Sequence, residues 1–210
     1  EINVVKTAIT LKLLSATVGN LENDNRQLDK IERLLGGELS NPITSNNRYK
    51  ELNESQNTAV TNAALATHFH IIQGPPGTGK TMTISHIANL YLKAGKKVFV
   101  TAPTHTAINN CLNAVADKVK DSSKVVKIGE KYQASEILNN EYVTRKTRLT
   151  LDRYSYNQDL SQEGIIIGGT PYCMCYPASK RLNNWEFDVA LIDEAAQMSI
   201  PLAVSVMSKS

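Results

Sequence analysis

Apolar residues recur along the chain at two different spacings. Between residues 4 and 35 they return at helical spacing, at Leu11, Leu14, Val18, Leu21, Leu28, Ile31, Leu34 and Leu35. Gly36 and Gly37 end this pattern, and the stretch that follows, to residue 50, is rich in Asn and Ser. The spacing therefore predicts an N-terminal helical segment and a linker, together residues 1–50.

From residue 51 onwards, short apolar runs alternate with amphipathic stretches. The amphipathic stretches predict helices over residues 56–66, 80–93 and 106–119. The apolar runs predict strands at 69–73, 97–102, 124–128, 164–168 and 187–193. Strands that alternate with helices form a mostly parallel sheet covered on both faces, so the domain formed by residues 51–210 is predicted to be α/β. The polar, charge-rich interval 130–163 predicts a helical insertion in it.

Composition adds a few limits. With 41% hydrophobic and 20% charged residues, the chain can bury one ordinary core. No apolar run approaches the roughly 20 residues of a membrane helix, and the first ten residues do not resemble a secretory signal. Three cysteines fit a reducing compartment, so we expect a cytoplasmic protein without a membrane partner. The net charge of +3 permits a nucleic-acid partner without indicating one.

The strongest chemical signal is the sequence GPPGTGKT, which lies between the predicted strand at 69–73 and the predicted helix at 80–93. This position is typical of a Walker A phosphate loop, in which glycines turn backbone N–H groups towards an anion at the positive end of the helix. The lysine then reaches the terminal phosphates, and the threonine hydroxyl ligates Mg²⁺. The alternative is a turn with an incidental lysine. ATP and Mg²⁺ are the predicted cofactors, with nucleotide-binding residues Gly74, Pro75, Pro76, Gly77, Thr78, Gly79, Lys80 and Thr81.

Two adjacent carboxylates, Asp193 and Glu194, follow the apolar run at 189–192. Ligands bind at the carboxyl ends of parallel strands, where this pair is expected to lie. We expect Asp193 to hold Mg²⁺ together with Thr81, and Glu194 to act as the general base towards the attacking water. The alternative is a pair of charges that favours the N-terminus of a following helix.

Five motifs occur in register: LNESQ at 52–56, GPPGTGKT at 74–81, APTHTAINN at 102–110, GGT at 168–170 and DEAAQ at 193–197. Their order and spacing resemble those of superfamily 1 helicases of the nonsense-mediated-decay helicase type, over about residues 52–207. The DEAxQ form distinguishes this group from the DEAD-box proteins. The resemblance implies a P-loop NTPase of the RecA-like fold, with three layers, in which this chain is the first of two motor lobes.

The resemblance also implies roles for particular residues. Gln56 is similar to the Q-motif residue that recognises adenine, a role that suits an amide because it donates and accepts at once. Gln197 resembles the sensor beside the attacking water, so the expected catalytic residues are Lys80, Glu194 and Gln197. Single-stranded DNA or RNA is the expected partner, and its backbone would be held by Pro103, Thr104, His105, Thr106 and Thr170.

Such backbone contacts also make sense without the family, because small hydroxyl side chains at strand ends hold phosphates without reading bases. Each candidate has an alternative. Thr104 and Thr106 suit the N-terminus of the helix that starts there, Thr170 suits a turn, and His105 suits a surface loop.

The family pattern is incomplete in this chain. In the family, ATP binds between two lobes, and the second lobe supplies an arginine finger worth about 10³ to 10⁵ in rate. Neither that lobe nor the third motif is found between Gln197 and Ser210. The resemblance places the strand of the third motif between the phosphate-loop strand and the Asp193 strand, so we expect an unpaired sheet edge there. Alone, the chain is expected to bind nucleotide weakly, hydrolyse it slowly and unwind nothing.

Two other functional classes stay open. A different P-loop nucleotidase, such as a clamp loader or a kinase, needs Lys80 and Thr81 but not Gln56 or Gln197. A nucleotide-gated binding module would use ATP only to switch its affinity for a partner, and its activity would not depend on Glu194. Stimulation of ATP hydrolysis by a single strand distinguishes the motor from both.

Overall fold

The centre of the fold is a sheet of short strands that all run in the same direction. The computed structural model describes residues 25, 29, 48–66, 69–119, 124–128, 144–146, 164–175 and 187–208. Within them, the strands are β1 (Lys97–Thr101), β2 (Val125–Ile128), β3 (Thr144–Lys146), β4 (Ile165–Gly168) and β5 (Val189–Ile192). Their order across the sheet is β3-β2-β4-β1-β5, and every pairing is parallel. The predicted parallel α/β sheet is confirmed.

The described helices are α1 (Glu54–Leu65), α2 (Lys80–Lys93), α3 (His105–Ala116), α4 (Tyr172–Cys175) and α5 (Ile200–Met207). None of them is long and apolar enough to cross a bilayer. Helix α1 starts earlier than predicted because Asn53 and Gln56 form a capping box, in which each side chain accepts the backbone N–H of the other at 2.9 Å. The hydrogen bond from the Asn53 N–H to Gln56 Oε1 also fixes the side chain of Gln56.

Side chains that alternate along the strands divide the core into two clusters. On one face, the strands pack against α2 and α3 through Ala88, Val98, Val100, Ile108, Leu112, Val115, Val125 and Ile166. On the other face, they pack against α4, α5 and Phe187 through Phe99, Val126, Ile128, Ile165, Ile167, Cys173 and Val206. The result is the predicted three-layer arrangement of helices, sheet and helices.

Helix α3 packs directly against β4 at Gly168. A Cβ atom at Gly168 would be 2.5 Å from Leu112 Cδ1. Leu112 is fully buried, so its side chain has no space into which to withdraw. Gly168, the first glycine of the GGT sequence, is therefore needed for packing.

A buried histidine connects the segment before α1 with helices α2 and α3. His86 of α2 is 5% exposed, and its ring packs on Tyr49 with 4.7 Å between centroids. Its Nε2 lies 3.2 Å from Glu51 Oε2, and the same carboxylate forms an ion pair with Lys118, which follows α3. Desolvation lowers the pKa of His86, and the positive charge of Lys118 adds to this effect.

Two predicted elements differ from the structure. Residues 69–75 approach α2 without forming the predicted strand, and Ile71 is 70% exposed. A strand forms only where a neighbour offers its N–H and C=O groups, and the described sheet ends at β5. Within the predicted helical insertion, the described residues 144–146 form strand β3, so the helix is wrong there. In the predicted N-terminal helices, the described residues Asn25 and Asp29 are helical, and the others lie outside the described part.

Candidate nucleotide site and single-strand interface

The phosphate loop turns sharply before α2. Gly77 and Gly79 have φ angles of 80° and 79°, a region that residues with a side chain rarely adopt. Gly79 directly precedes α2, whose first residue is Lys80. The unpaired N–H groups in the first turn of a 14-residue helix therefore border the loop, as an anion site requires.

Lys80 folds back across this loop. Its Nζ donates to the carbonyl oxygens of Gly74 at 2.7 Å and Pro75 at 2.9 Å. The Thr78 hydroxyl donates to the same Pro75 oxygen at 2.8 Å, and Pro75 and Pro76 are exposed. The ammonium group is thus held within the loop. When a phosphate binds there, the ammonium N–H groups can donate to the phosphate instead of to these carbonyl oxygens.

Gln56 is tied to the phosphate loop. Its Nε2 donates to Thr78 O at 2.9 Å, while its Oε1 accepts the Asn53 N–H. A Cβ atom at Gly79 would lie 2.5 Å from Gln56 Nε2, so glycine is needed for this approach as well as for the turn. The amide keeps a second N–H and a second lone pair, which can pair with an adenine edge. The structure therefore brings the predicted adenine-binding residue against the loop.

The acidic segment follows β5 at the carboxyl-terminal edge of the sheet. Asp193 is 7% exposed, its N–H donates to Thr101 O at 2.9 Å, and its Oδ1 accepts the Glu194 N–H at 2.9 Å. Glu194 has a φ of 52°, in the left-handed region that is strained for this residue type. The Gln197 N–H donates to Glu194 O at 2.9 Å, and both side chains are exposed.

This turn does not favour the alternative in which the carboxylates serve a following helix. The next element is a short 3₁₀ turn, Ala195–Gln197, and the Glu194 side chain makes no capping bond to it. One carboxylate is buried and its neighbour is exposed. The roles of Asp193 as a magnesium ligand and of Glu194 as the general base stay predictions.

Whether a magnesium ion fits this site depends on which oxygen donors the chain offers. Thr81 and Asp193 offer hydroxyl and carboxylate oxygens, the hard ligands that Mg²⁺ prefers. Leu191 of β5 packs against the same apolar cluster as Ile87 of α2, so the elements that carry the two donors are neighbours. The donor set fits a magnesium ion that arrives with a nucleotide.

The residues predicted to bind single-stranded nucleic acid follow the ends of β1 and β4. The Gly169 N–H donates to Val100 O at 3.1 Å, and the Asp193 N–H donates to Thr101 O, so three strand ends adjoin. After β1, Pro103 is half-buried, and Thr104 and Thr106 are exposed. The interface candidates and the acidic segment therefore share one edge of the sheet.

Two of these threonines have structural roles. Thr104 Oγ1 accepts the Ala107 N–H at 3.2 Å, which confirms that it caps α3. Thr170 is buried, its carbonyl accepts the Cys173 N–H at 2.9 Å, and its hydroxyl lies 3.6 Å from Cys173 Sγ. These contacts match the turn alternative for Thr170. Its contact with nucleic acid stays a prediction.

A buried lysine that the sequence patterns did not single out lies beside this interface. Lys127 of β2 is 1% exposed, and its Nζ lies 3.2 Å from Nδ1 of the half-buried His105. Desolvation lowers the pKa of Lys127 to about 8. Burial, and then the charge of Lys127, lowers the pKa of His105. The signal in the sequence was a lysine at an inward position of the apolar run VVKI.

Residues 51–164 match the family of AAA domains. A DNA replication ATP-dependent helicase/nuclease of Schizosaccharomyces pombe is 31% identical over 155 residues, which cover 74% of this chain and 10% of that protein. An uncharacterized ATP-dependent helicase of Methanocaldococcus jannaschii is 42% identical over 90 residues, which cover 42% of this chain and 13% of that protein. The UvsW helicase from bacteriophage T4 aligns with a TM-score of 0.40 and 21% identity, over 80% of this chain and 62% of that one.

These matches place the phosphate loop within a known family. The chain spans about a tenth of the length of the Schizosaccharomyces pombe helicase/nuclease that it matches. The AAA-domain match covers more than half of the chain, including α1, the phosphate loop, α2 and α3. The chain therefore belongs to the AAA-domain family and is a first RecA-like lobe of the superfamily 1 helicase type.

Proposed function

We propose that this chain is the N-terminal motor lobe of an ATP-dependent helicase, which couples ATP hydrolysis to translocation on single-stranded nucleic acid. The observation that carries the proposal is the hydrogen bond of 2.9 Å from the Asp193 N–H to Thr101 O. It joins the acidic segment to the end of β1, immediately before residues 103–106. If the acidic segment shifts during hydrolysis, this hydrogen bond can transmit the movement to the residues that hold the single-stranded nucleic acid.

Each step of hydrolysis is assigned to side chains or backbone groups of this lobe. Lys80 and the loop N–H groups bind the phosphates, and Gln56 recognises the adenine. Thr81 and Asp193 would hold Mg²⁺, which would supply positive charge against the phosphates. Glu194 accepts the proton of the attacking water, and Gln197 orients that water. A second lobe completes the nucleotide site.

Single-stranded DNA is the proposed track. The Schizosaccharomyces pombe relative is named for DNA replication, which favours DNA over RNA. Pro103, Thr104, His105 and Thr106 lie where they can hold the backbone of the strand without reading its bases. A cytoplasmic location remains a prediction from the cysteine content.

The test is ATP hydrolysis by the protein that carries this lobe together with its second lobe, with and without single-stranded DNA or RNA. We expect strong stimulation by DNA. Glu194→Gln should lower the stimulated rate by roughly 10² to 10⁴ while nucleotide binding is retained, because it removes the proton acceptor. Glu54→Gln makes the same chemical change on the exposed start of α1 and should have no effect.

Two outcomes would replace the proposal with its alternatives. Hydrolysis that a strand does not stimulate would indicate another P-loop nucleotidase. A strand affinity that ATP changes, together with a neutral Glu194→Gln, would indicate a nucleotide-gated binding module.

A further inference from the structure

We propose that Lys127 is a positioning residue for His105, which it holds in the tautomer protonated at Nε2, so that this N–H binds a phosphate oxygen of the single strand. The inference rests on the proposed function, because it takes His105 as a strand-binding residue. It adds a residue from β2, a strand that none of the motifs includes.

The tautomer follows from the contact between the two side chains. Lys127 Nζ lies 3.2 Å from His105 Nδ1. An ammonium group has three donors and no acceptor, so Nδ1 must accept and cannot carry a proton. The proton of the neutral ring is then on Nε2. A contact to one ring nitrogen thus determines what the other can offer.

The surroundings keep the pair in these protonation states near neutral pH. The pKa of about 8 leaves Lys127 mostly protonated at pH 7, and the lowered pKa of His105 keeps its ring neutral. Among the described residues, the thiol of Cys173 in α4 is the other titratable group beside Lys127, and the salt bridges do not include this lysine. The His105 nitrogen is therefore the acceptor that faces the ammonium.

The location of His105 suits a phosphate contact. His105 is the first residue of α3, between two exposed threonines, and the N-terminus of a helix favours an anion. Lys127 is fully buried beneath it and acts through the imidazole. A neutral N–H donor holds the backbone without adding a charge, which suits a contact that must be released at every step.

The tautomer can be read directly from the imidazole nitrogens by NMR of the 210-residue chain. We expect the Nε2-protonated form of His105 in the unaltered protein. Lys127→Met keeps the length of the side chain but removes the cation, so it should mix the tautomers and raise the pKa of His105. Lys127→Arg, which also donates without accepting, should preserve the Nε2 form. Lys124→Met makes the same chemical change just before β2 and should alter neither property.

Strand binding supplies the second readout, measured on the protein with both lobes and a single-stranded DNA. His105→Ala should weaken binding about tenfold, the effect of one lost hydrogen bond to a charged group. Lys127→Met should weaken it about twofold, because an even mixture of tautomers leaves about half of the His105 rings able to donate from Nε2. Lys127→Met should add nothing in the His105→Ala background, because the lysine acts through the ring. The dependence of affinity on salt should stay unchanged, whereas a lysine that itself binds a phosphate would reduce its slope by about 0.7.

The outcomes separate this inference from the proposed function. A tautomer that is not Nε2-protonated, or that Lys127→Met leaves unchanged, overturns the inference. Unchanged strand binding in His105→Ala also overturns it, while the motor function stands. Failure of the unaltered protein to bind any single strand sinks the proposed function itself.

Discussion

Among single residues, Glu194 combines backbone strain with predicted chemistry. It is the non-glycine residue with a positive φ in the described part of the chain. The conformation reverses the chain within one residue, so that Asp193 stays buried while the next side chain is exposed. Two adjacent residues of a regular strand end could also face opposite ways, but they would continue the strand. Here the left-handed residue starts the turn that carries Gln197.

Replacing Glu194 with glycine should separate stability from activity. Glycine adopts this φ without strain, so we expect the free energy of unfolding to rise by about 1 kcal/mol in urea denaturation of this chain. Glu194→Gln keeps the side-chain shape and the strain, and should leave stability nearly unchanged. Both variants should lose strand-stimulated ATP hydrolysis in the two-lobe protein. Equal stability of the two variants would show that the turn is not strained.

The residues of the nucleotide site could be predicted because their spacing is local. The GPPGTGKT sequence requires glycines at fixed offsets, and the structure gives Gly77 and Gly79 the conformations that motivate them. Lys127 could not be predicted in the same way. Its contact with His105 joins residues on different elements, and a lysine in an apolar run is more often a solvated edge position.

Among the elements, helix α2 was predicted to its end residues, whereas the run before the phosphate loop was not. The helix forms its hydrogen bonds internally, and Gly95 follows it with a φ of 73°, the signal that predicted its end. The run at 69–73 has the composition of a strand, but strand pairing depends on a distant part of the chain. Its secondary structure is therefore set by the sheet and not by its own sequence.

The junction of Tyr49, Glu51, His86 and Lys118 should make stability depend on pH. The folded state lowers the pKa of His86 below its unfolded value of about 6.5. The contribution of His86 to the free energy of unfolding is therefore fully present above a pH of about 6.5. As pH falls further, the unfolded chain takes up a proton that the folded chain resists, so the free energy of unfolding decreases by at most about 1.4 kcal/mol per pH unit.

Urea unfolding at pH 7.5 and 5.5 checks this expectation. His86→Asn should show a smaller loss between the two pH values than the unaltered chain. Glu51→Gln removes the carboxylate that favours the charged ring, so the loss should extend to lower pH. An identical pH dependence in the unaltered chain and in His86→Asn would assign the effect to other groups.

At the scale of the whole molecule, both faces of the described sheet are covered by helices, and its outer strands are β3 and β5. At one end β3 pairs with β2, and at the other β5 pairs with β1. Ile72 and Leu191 both pack against the cluster of Leu52, Val60 and Ile87. The segment at 69–75 therefore lies on the β5 side, where the family resemblance places an intervening strand. The described part thus keeps its helical layers although the phosphate loop is not anchored by a strand.

In the described part of the chain, the outer edge of β5 has no paired strand and lies on the same side as the exposed Ile71, an arrangement that should promote self-association. Ile71→Lys places a charge at a position that is 70% exposed, and lysine is a residue that blocks edge pairing. We expect sedimentation to show a shift towards the 23.1 kDa monomer at concentrations where the unaltered chain forms larger species. Thr58→Lys adds the same charge to the exposed side of α1 and should leave the distribution unchanged. If both variants dissociate the chain equally, net charge and not the edge controls association, and a strictly monomeric unaltered chain would contradict the expectation outright.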